Sequence, residues 1–237
     1  MCDTCGCGDP EKVPVEIRES LLAGNDARAR HNREHFRAHG VVAVNLMGSP
    51  GSGKTALLEA TARAWQGRRR IAAVSGDLET ELDAERLRGA GIPALSITTG
   101  SACHLDAGQV HHALHHLPLE GLDFLFVENV GNLVCPAIYD LGQEVSVVAL
   151  AVTEGEDKPL KYPVMFRKAQ AVVLTKVDLL PHLPEISVER LRENVAKVMP
   201  EPVVFCVSAR TGEGLIDWSD WLERRRSAAG AATERSA

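Results

Sequence analysis

Val41-Val42-Ala43-Val44-Asn45-Leu46-Met47 runs straight into Gly48-Ser49-Pro50-Gly51-Ser52-Gly53-Lys54-Thr55. The first seven residues are mostly apolar and rich in valine, which predicts a buried strand. The next eight fit G-x-x-x-x-G-K-[ST], the phosphate-binding P-loop. Residues 55–65 (TALLEATARAW) then show helical periodicity. The motif therefore stands in the strand–loop–helix context that its chemistry needs. Its glycines let the backbone wrap a phosphate without Cβ clashes, so that successive N–H groups point inward. The helix start adds positive potential. Lys54 is expected to reach the β- and γ-phosphates, and the Thr55 hydroxyl to hold Mg2+.

Outward from this loop, strands and helices alternate. Strands are predicted at 71–74, 94–97, 123–127, 145–152, 171–174 and 203–207. Helices are predicted at 79–88, 106–117, 160–169, 187–198 and 214–224. Alternation of this kind argues for an α/β fold, a P-loop NTPase with a mainly parallel sheet and helices on both faces. Residues 41–225 are assigned to this domain. Residues 13–40 read as a helical segment, broken near Gly24, with Asn25 or Asp26 as a cap. Residues 1–12 read as a flexible metal-binding tail, and residues 226–237 as a disordered C-terminal tail.

The chain has 237 residues, 45% of them hydrophobic and only 4% aromatic, so its core must be aliphatic. A net charge of -6 offers no electrostatic footprint for nucleic acid. The sequence has no apolar run long enough to span a membrane, nor a secretory signal at its start. A cytoplasmic location and no membrane partner are therefore expected. There the six cysteines read as thiolates, metal ligands or core residues rather than disulfides.

Nucleotide chemistry needs parts at the ends of other strands. Glu128, with Gly131 three residues on, follows the 123–127 strand, where a P-loop protein places a carboxylate near Mg2+ and a glycine N–H at the γ-phosphate. Asp77 is a second candidate for the Mg2+ shell or for orienting water; it also reads as a helix cap. Thr175-Lys176-Val177-Asp178 resembles the N-K-x-D guanine motif. A carboxylate at Asp178 accepts from guanine N1–H and N2–H2, a pair that adenine cannot supply. Ser208-Ala209-Arg210 resembles the element that contacts guanine O6. GTP/GDP is thus expected rather than ATP.

Two groups of residues suggest soft-metal chemistry. Cys2, Cys5 and Cys7 have C-x-x-C-x-C spacing and can chelate one ion, nickel or copper in tetragonal geometry, zinc in tetrahedral. Cys103, His104 and Cys135 are expected on loops at the nucleotide end, where a partner or exchangeable ligand could complete a site. Cys103 and Cys135 read equally well as small buried hydrophobes. His111, His112, His115 and His116 make two i, i+4 pairs, a spacing that can bind metal, although a polar helix face is the simpler reading.

Together, the C-x-x-C-G-C start, GSPGSGKT, SGDLET, the Cys103-His104-Leu105-Asp106 block, ENVGNLVCP and EGEDKPLKYP resemble the HypB family, the nickel-incorporation GTPases of nickel–iron hydrogenase maturation. The resemblance implies a SIMIBI-type GTPase fold and slow Mg2+-dependent hydrolysis of GTP. It also implies a homodimer, formed across the nucleotide and dependent on GTP and metal. It implies Ni2+ at Cys2, Cys5 and Cys7, and Ni2+ or Zn2+ at Cys103, His104 and Cys135. It assigns Lys54, Thr55, Asp77, Glu128 and Gly131 to phosphate and Mg2+. Lys158 and Lys161 would lie near the nucleotide and the partner subunit. The implied partners are a HypA-type companion metallochaperone and a hydrogenase large-subunit precursor. A metal buffer and a urease-type nickel GTPase are the alternatives; the absence of a polyhistidine run near the N-terminus weighs against bulk storage.

Overall fold

A computed structural model describes residues 15–100 and 102–234. The motif at residues 1–12, with Cys2, Cys5 and Cys7, lies outside the described residues. Within them the chain forms a seven-stranded sheet in the order β3-β2-β4-β1-β5-β6-β7. The strands are β1 (Val42–Met47), β2 (Ile71–Asp77), β3 (Ala94–Thr98), β4 (Phe124–Glu128), β5 (Val145–Ala151), β6 (Ala171–Thr175) and β7 (Val204–Val207), and every pairing is parallel. The central strands read as continuous apolar runs because both faces are covered.

Alternation along each strand sorts side chains between the layers. Val42, Val44, Phe124 and Phe126 face α2 (Lys54–Trp65), α3 (Leu82–Gly89) and α8 (Leu215–Glu234). Trp65 stacks on Phe124 at 4.9 Å, and the indole N–H of Trp218 donates to Thr61 Oγ1 at 2.9 Å. The opposite face divides in two. Ala43, Leu125 and Val127 pack against α1 (Val15–Ala38) and α4 (Ala107–Leu114). Val148, Leu150 and Val172 pack against α6 (Pro163–Lys168) and α7 (Val188–Ala196).

Three sequence expectations change. Helix α1 runs unbroken through Gly24. The Asn25 side chain instead donates to the Asp140 carbonyl at 2.8 Å and accepts from Ala107 N–H at 2.9 Å. The helix expected over 160–169 is two short pieces, α5 (Lys158–Lys161) and α6, divided at Tyr162. Pro163 disfavours helical backbone at the residue before it and removes a donor. Helix α8 continues through Glu234 instead of giving way to a disordered tail at 226. Alanine-rich sequence sustains it, Arg226 pairs with Asp123 at 2.7 Å and Ala229 packs on the core.

Candidate functional site

The C-terminal ends of β1, β2, β4 and β6 meet around the P-loop. Gly53 caps α2 with φ of 88°, a left-handed conformation that glycine adopts at little cost. The helix starts at Lys54, so its N-terminus faces the loop. Lys54 is buried, and its ammonium donates to the carbonyls of Ser49 (3.1 Å) and Gly48 (3.3 Å). Burial lowers the Lys54 pKa, while Glu128 and Asp83 oppose that shift. Thr175 closes the loop from β6, donating to the Ser52 carbonyl at 2.6 Å. Threonine at that position thus performs a tethering role of its own.

Glu128 enters at the end of β4 and is 3% exposed. The Thr55 hydroxyl lies 2.8 Å from Glu128 Oε1 and 2.9 Å from Asp83 Oδ1. A hydroxyl has one proton, so it can donate to only one of these carboxylates at a time. Burial pushes Glu128 up to about 7, against the opposing effects of the Thr55 hydrogen bond and Lys54. Its second oxygen is buried without a hydrogen-bond partner, as are the hydroxyls of Ser49 and Ser52. A hydroxyl, two carboxylates and an orphaned acceptor form a donor set that suits a hard dication such as Mg2+.

Asp83 was not singled out from the sequence. Asp77, which was, is engaged locally: its carboxylate accepts from Leu78 N–H and Thr80 Oγ1, both at 2.6 Å. It still lines the cavity, but Asp83 joins Glu128 at the Thr55 hydroxyl. An acidic residue in the first turn of α3 had no motif to mark it.

The loop after β4 lies on the P-loop. Gly48 and Asn132 form an antiparallel bridge. A Cβ on Gly131 would stand 2.7 Å from Pro50 Cγ, so only glycine permits this approach. Asn129 anchors the loop's first turn. Its Oδ1 accepts from Leu105 and Val130 N–H groups, and its amide donates to Asn45. Two adjoining cavities, of about 500 and 380 Å3, share Gly53, Ala56, Arg86 and Lys176. The first is lined by the P-loop, Asp83 and Glu128, the second by Thr175, Asp178 and Arg210. Asp178 accepts from Ser208 Oγ (2.6 Å) and Arg210 Nε (2.8 Å). These two bonds hold its carboxyl below the usual range. The P-loop thus borders one chamber, and Thr175, Asp178 and Arg210 border the other.

Cys103, His104 and Cys135 come together, with their ligand atoms all within 4.8 Å of one another. The two sulfurs are 2.8 Å apart, and Cys103 Sγ is 3.8 Å from His104 Nδ1. Cys135 and His104 are buried, and the His104 ring stacks on Tyr139 at 3.8 Å. Burial lowers the His104 pKa, which favours the neutral, metal-binding imidazole. Two thiols and an imidazole in this space suit zinc, nickel or copper. Cys135 belongs to the same loop as Gly131, and the backbone N–H of Cys135 is held by Asn132 at 3.2 Å.

Residues 42–205 match the family model described as the CobW/HypB/UreG nucleotide-binding domain. Hydrogenase maturation factor HypB of Azotobacter vinelandii is 50% identical over 213 residues, covering 90% of this chain and 70% of that protein. The chain belongs to the HypB family. HypB of Escherichia coli K12 is 45% identical, covering 93% of this chain and 76% of its own. A crystal structure of HypB from Helicobacter pylori in complex with nickel superposes with a TM-score of 0.82. It has 41% sequence identity and covers 86% of this chain and 96% of that one. The HypB-like fold is therefore matched in both sequence and backbone.

Proposed function

We propose that the chain is a GTP-hydrolysing nickel metallochaperone for nickel–iron hydrogenase maturation. The observation that carries this reading is one continuous loop. Residues 129–135 run from the P-loop contact at Gly131 to the thiol of Cys135, so the phosphate chamber and the metal trio share a backbone. The relatives named as hydrogenase maturation factors support the pathway, and the nickel-bound structure of one supports the cargo.

Lys54 would leave the Gly48 and Ser49 carbonyls to pair with the β- and γ-phosphates, and the loop amides would cradle them. Gly131 N–H would meet the γ-phosphate. Thr55, Glu128 and Asp83 would hold Mg2+, with Asp77 at the rim of the same cavity. When bound, Mg2+ neutralises charge that develops on the transferring phosphoryl group. Asp178 would read guanine N1–H and N2–H2, Lys176 would cover the ring, and Ser208-Ala209-Arg210 would flank O6. Arg86, the guanidinium lining the phosphate cavity, is held by Glu59 through two 2.7 Å bonds. Among the described residues that line the phosphate cavity, no other arginine is present, and turnover would be slow.

Release of γ-phosphate would relax residues 129–135 and shift Cys135 relative to Cys103 and His104, altering nickel affinity. Zn2+ would compete for the same trio, and Cys2, Cys5 and Cys7 would form a second nickel-binding group. Leu78, Leu82, Val134, Ile138, Leu160 and Val164 are exposed apolar side chains, most of them on segments flanking the nucleotide and metal loops. They support a homodimer formed across this face. Lys158 pairs with Glu154 and Lys161 with Asp157 on the same side. A HypA-type metallochaperone and a hydrogenase large-subunit precursor would be the partners, in the cytoplasm. No helix among the described residues is long and apolar enough to cross a membrane.

A metal buffer with an idle nucleotide site is the rival reading. Lys54→Ala separates the two. Loss of charge-assisted bonds of about 1.5–3 kcal/mol should weaken GTP binding roughly 10- to 100-fold. Hydrogenase maturation at limiting nickel should fail with it. Unimpaired maturation by a variant with that loss of GTP affinity would favour the buffer.

A further inference from the structure

Two helices carry histidines toward each other across the seam between α1 and α4. His31 and His35 stand one turn apart on α1. His111 and the C-cap residue His115 stand one turn apart at the end of α4. The ring centroids of His31 and His111 are 4.9 Å apart, and those of His111 and His115 are also 4.9 Å apart. His35 instead pairs edge-to-face with His39, ring centroids 4.5 Å apart. Two imidazoles bound to one tetrahedral ion at metal–nitrogen distances of about 2.1 Å have ring centroids roughly 5 Å apart. The observed spacings are close to that value in edge-to-face ring pairs, so the ring nitrogens converge once the rings turn.

The seam is also fixed from beneath. The Asn32 amide donates to the carbonyls of Ala107 (2.9 Å) and Leu141 (3.0 Å). This orients Asn32 Oδ1 as an acceptor facing His111 Nδ1 at 3.1 Å. The proton of neutral His111 therefore sits on Nδ1, and Nε2 keeps the lone pair that a metal requires. A ring N–H held by an amide or carbonyl oxygen is the recurrent support of metal-binding histidines. Burial, followed by the charges of Arg28, His31, His115 and His35, keeps His111 below the usual imidazole range. Burial, followed by His39, His31 and His115, does the same for His35.

We propose that His31, His111 and His115, with a water or exchangeable fourth ligand, form a second metal site that takes a borderline first-row dication such as zinc or nickel and clasps α1 to the nucleotide-binding domain. Imidazole ligands without thiolate suit these ions. Among the described residues, only Cys103, His104 and Cys135 have three ligand atoms already converged within 4.8 Å. The histidine site would form when the exposed rings of His31 and His115 turn inward. The exposed Arg28, whose charge reaches His111, opposes an incoming cation and makes this the weaker site. His112 and His116 line a separate cleft with Leu95 and Ile97, the His112 ring lying 6.4 Å from that of His115.

Anaerobic titration of the full chain with cobalt(II) tests the proposal, because thiolate ligation gives intense near-ultraviolet charge-transfer bands and imidazole ligation gives only visible d–d bands. The chain should take up one equivalent that adds d–d intensity without charge transfer. The double variant His31→Ala/His115→Ala should lose that equivalent and keep both its thiolate bands and its GDP affinity. The control His112→Ala/His116→Ala should retain the equivalent. Equal stoichiometry in the parent and the His31/His115 variant would overturn the proposal, and so would loss of the equivalent in the control alone.

Discussion

Glu128→Gln separates the electrostatic cost of the acidic cluster from its function. The Glu128 carboxyl is pushed up to about 7 in the folded protein from an ordinary value of 4.5, mainly by burial. Between these two values the folded state binds more protons than the unfolded chain. Stability must therefore fall as pH rises through the window from 4.5 to 7. The full shift corresponds to on the order of 3 kcal/mol. Glutamine keeps the shape and the acceptor for Thr55 but carries no charge. In nucleotide-free protein with EDTA, urea unfolding at pH 8 should show the variant more stable by on the order of 3 kcal/mol. The difference should shrink across the window and vanish below its lower end. GTP hydrolysis in Mg2+ should fall about 100-fold or more, because the proposed Mg2+ ligand loses its charge. Parallel stability–pH curves for parent and variant would refute the reasoning, as would a variant less stable at pH 8.

Asp178→Asn replaces the proposed acceptor for guanine N1–H with an amide, so GDP affinity should drop about 100-fold. Xanthine nucleotides, with a carbonyl at position 2, should bind the variant better than the parent; fluorescent-nucleotide titration reads both effects. Gly131→Ala places a Cβ 2.7 Å from Pro50 Cγ and must lift residues 129–135 off the P-loop. A non-hydrolysable GTP analogue should lose roughly 10-fold in affinity, from the proposed γ-phosphate contact worth about 1.4 kcal/mol. GDP should lose less, which competition binding would show.

The parallel sheet and the nucleotide chambers were legible because each is encoded in contiguous residues. The P-loop, Glu128 with Gly131, and Asp178 all follow apolar strands, so chain order alone brings them to one edge. The trio Cys103, His104 and Cys135 was legible only in outline. Spacing placed two loops at the same end of the sheet, but Asn129, which ties the Leu105 and Val130 amides together, had no pattern to reveal it. Asp83 reaches Thr55 through the packing of α3 on α2, and such a contact across layers leaves no periodic trace. His31 and His111 are likewise far apart in sequence and meet only through the seam that Asn25 and Asn32 hold. Helix α8 was cut short because alanine-rich sequence near a terminus resembles a tail until its ion pair with Asp123 is seen.

The central claim is that nucleotide state and the Cys103–His104–Cys135 metal trio are coupled through residues 129–135. By linkage, any effect of nucleotide on metal affinity must be matched by an equal effect of metal on nucleotide affinity. The most direct measurement is nickel titration of protein carrying Cys2→Ser, Cys5→Ser and Cys7→Ser, with GDP and with a non-hydrolysable GTP analogue. Metal stoichiometry and dimerisation are read together. Nickel affinities should differ at least 5-fold between the two nucleotides, a coupling of about 1 kcal/mol or more, with the difference lost in Cys135→Ser. Equal nickel affinity in the two nucleotide states would contradict that coupling.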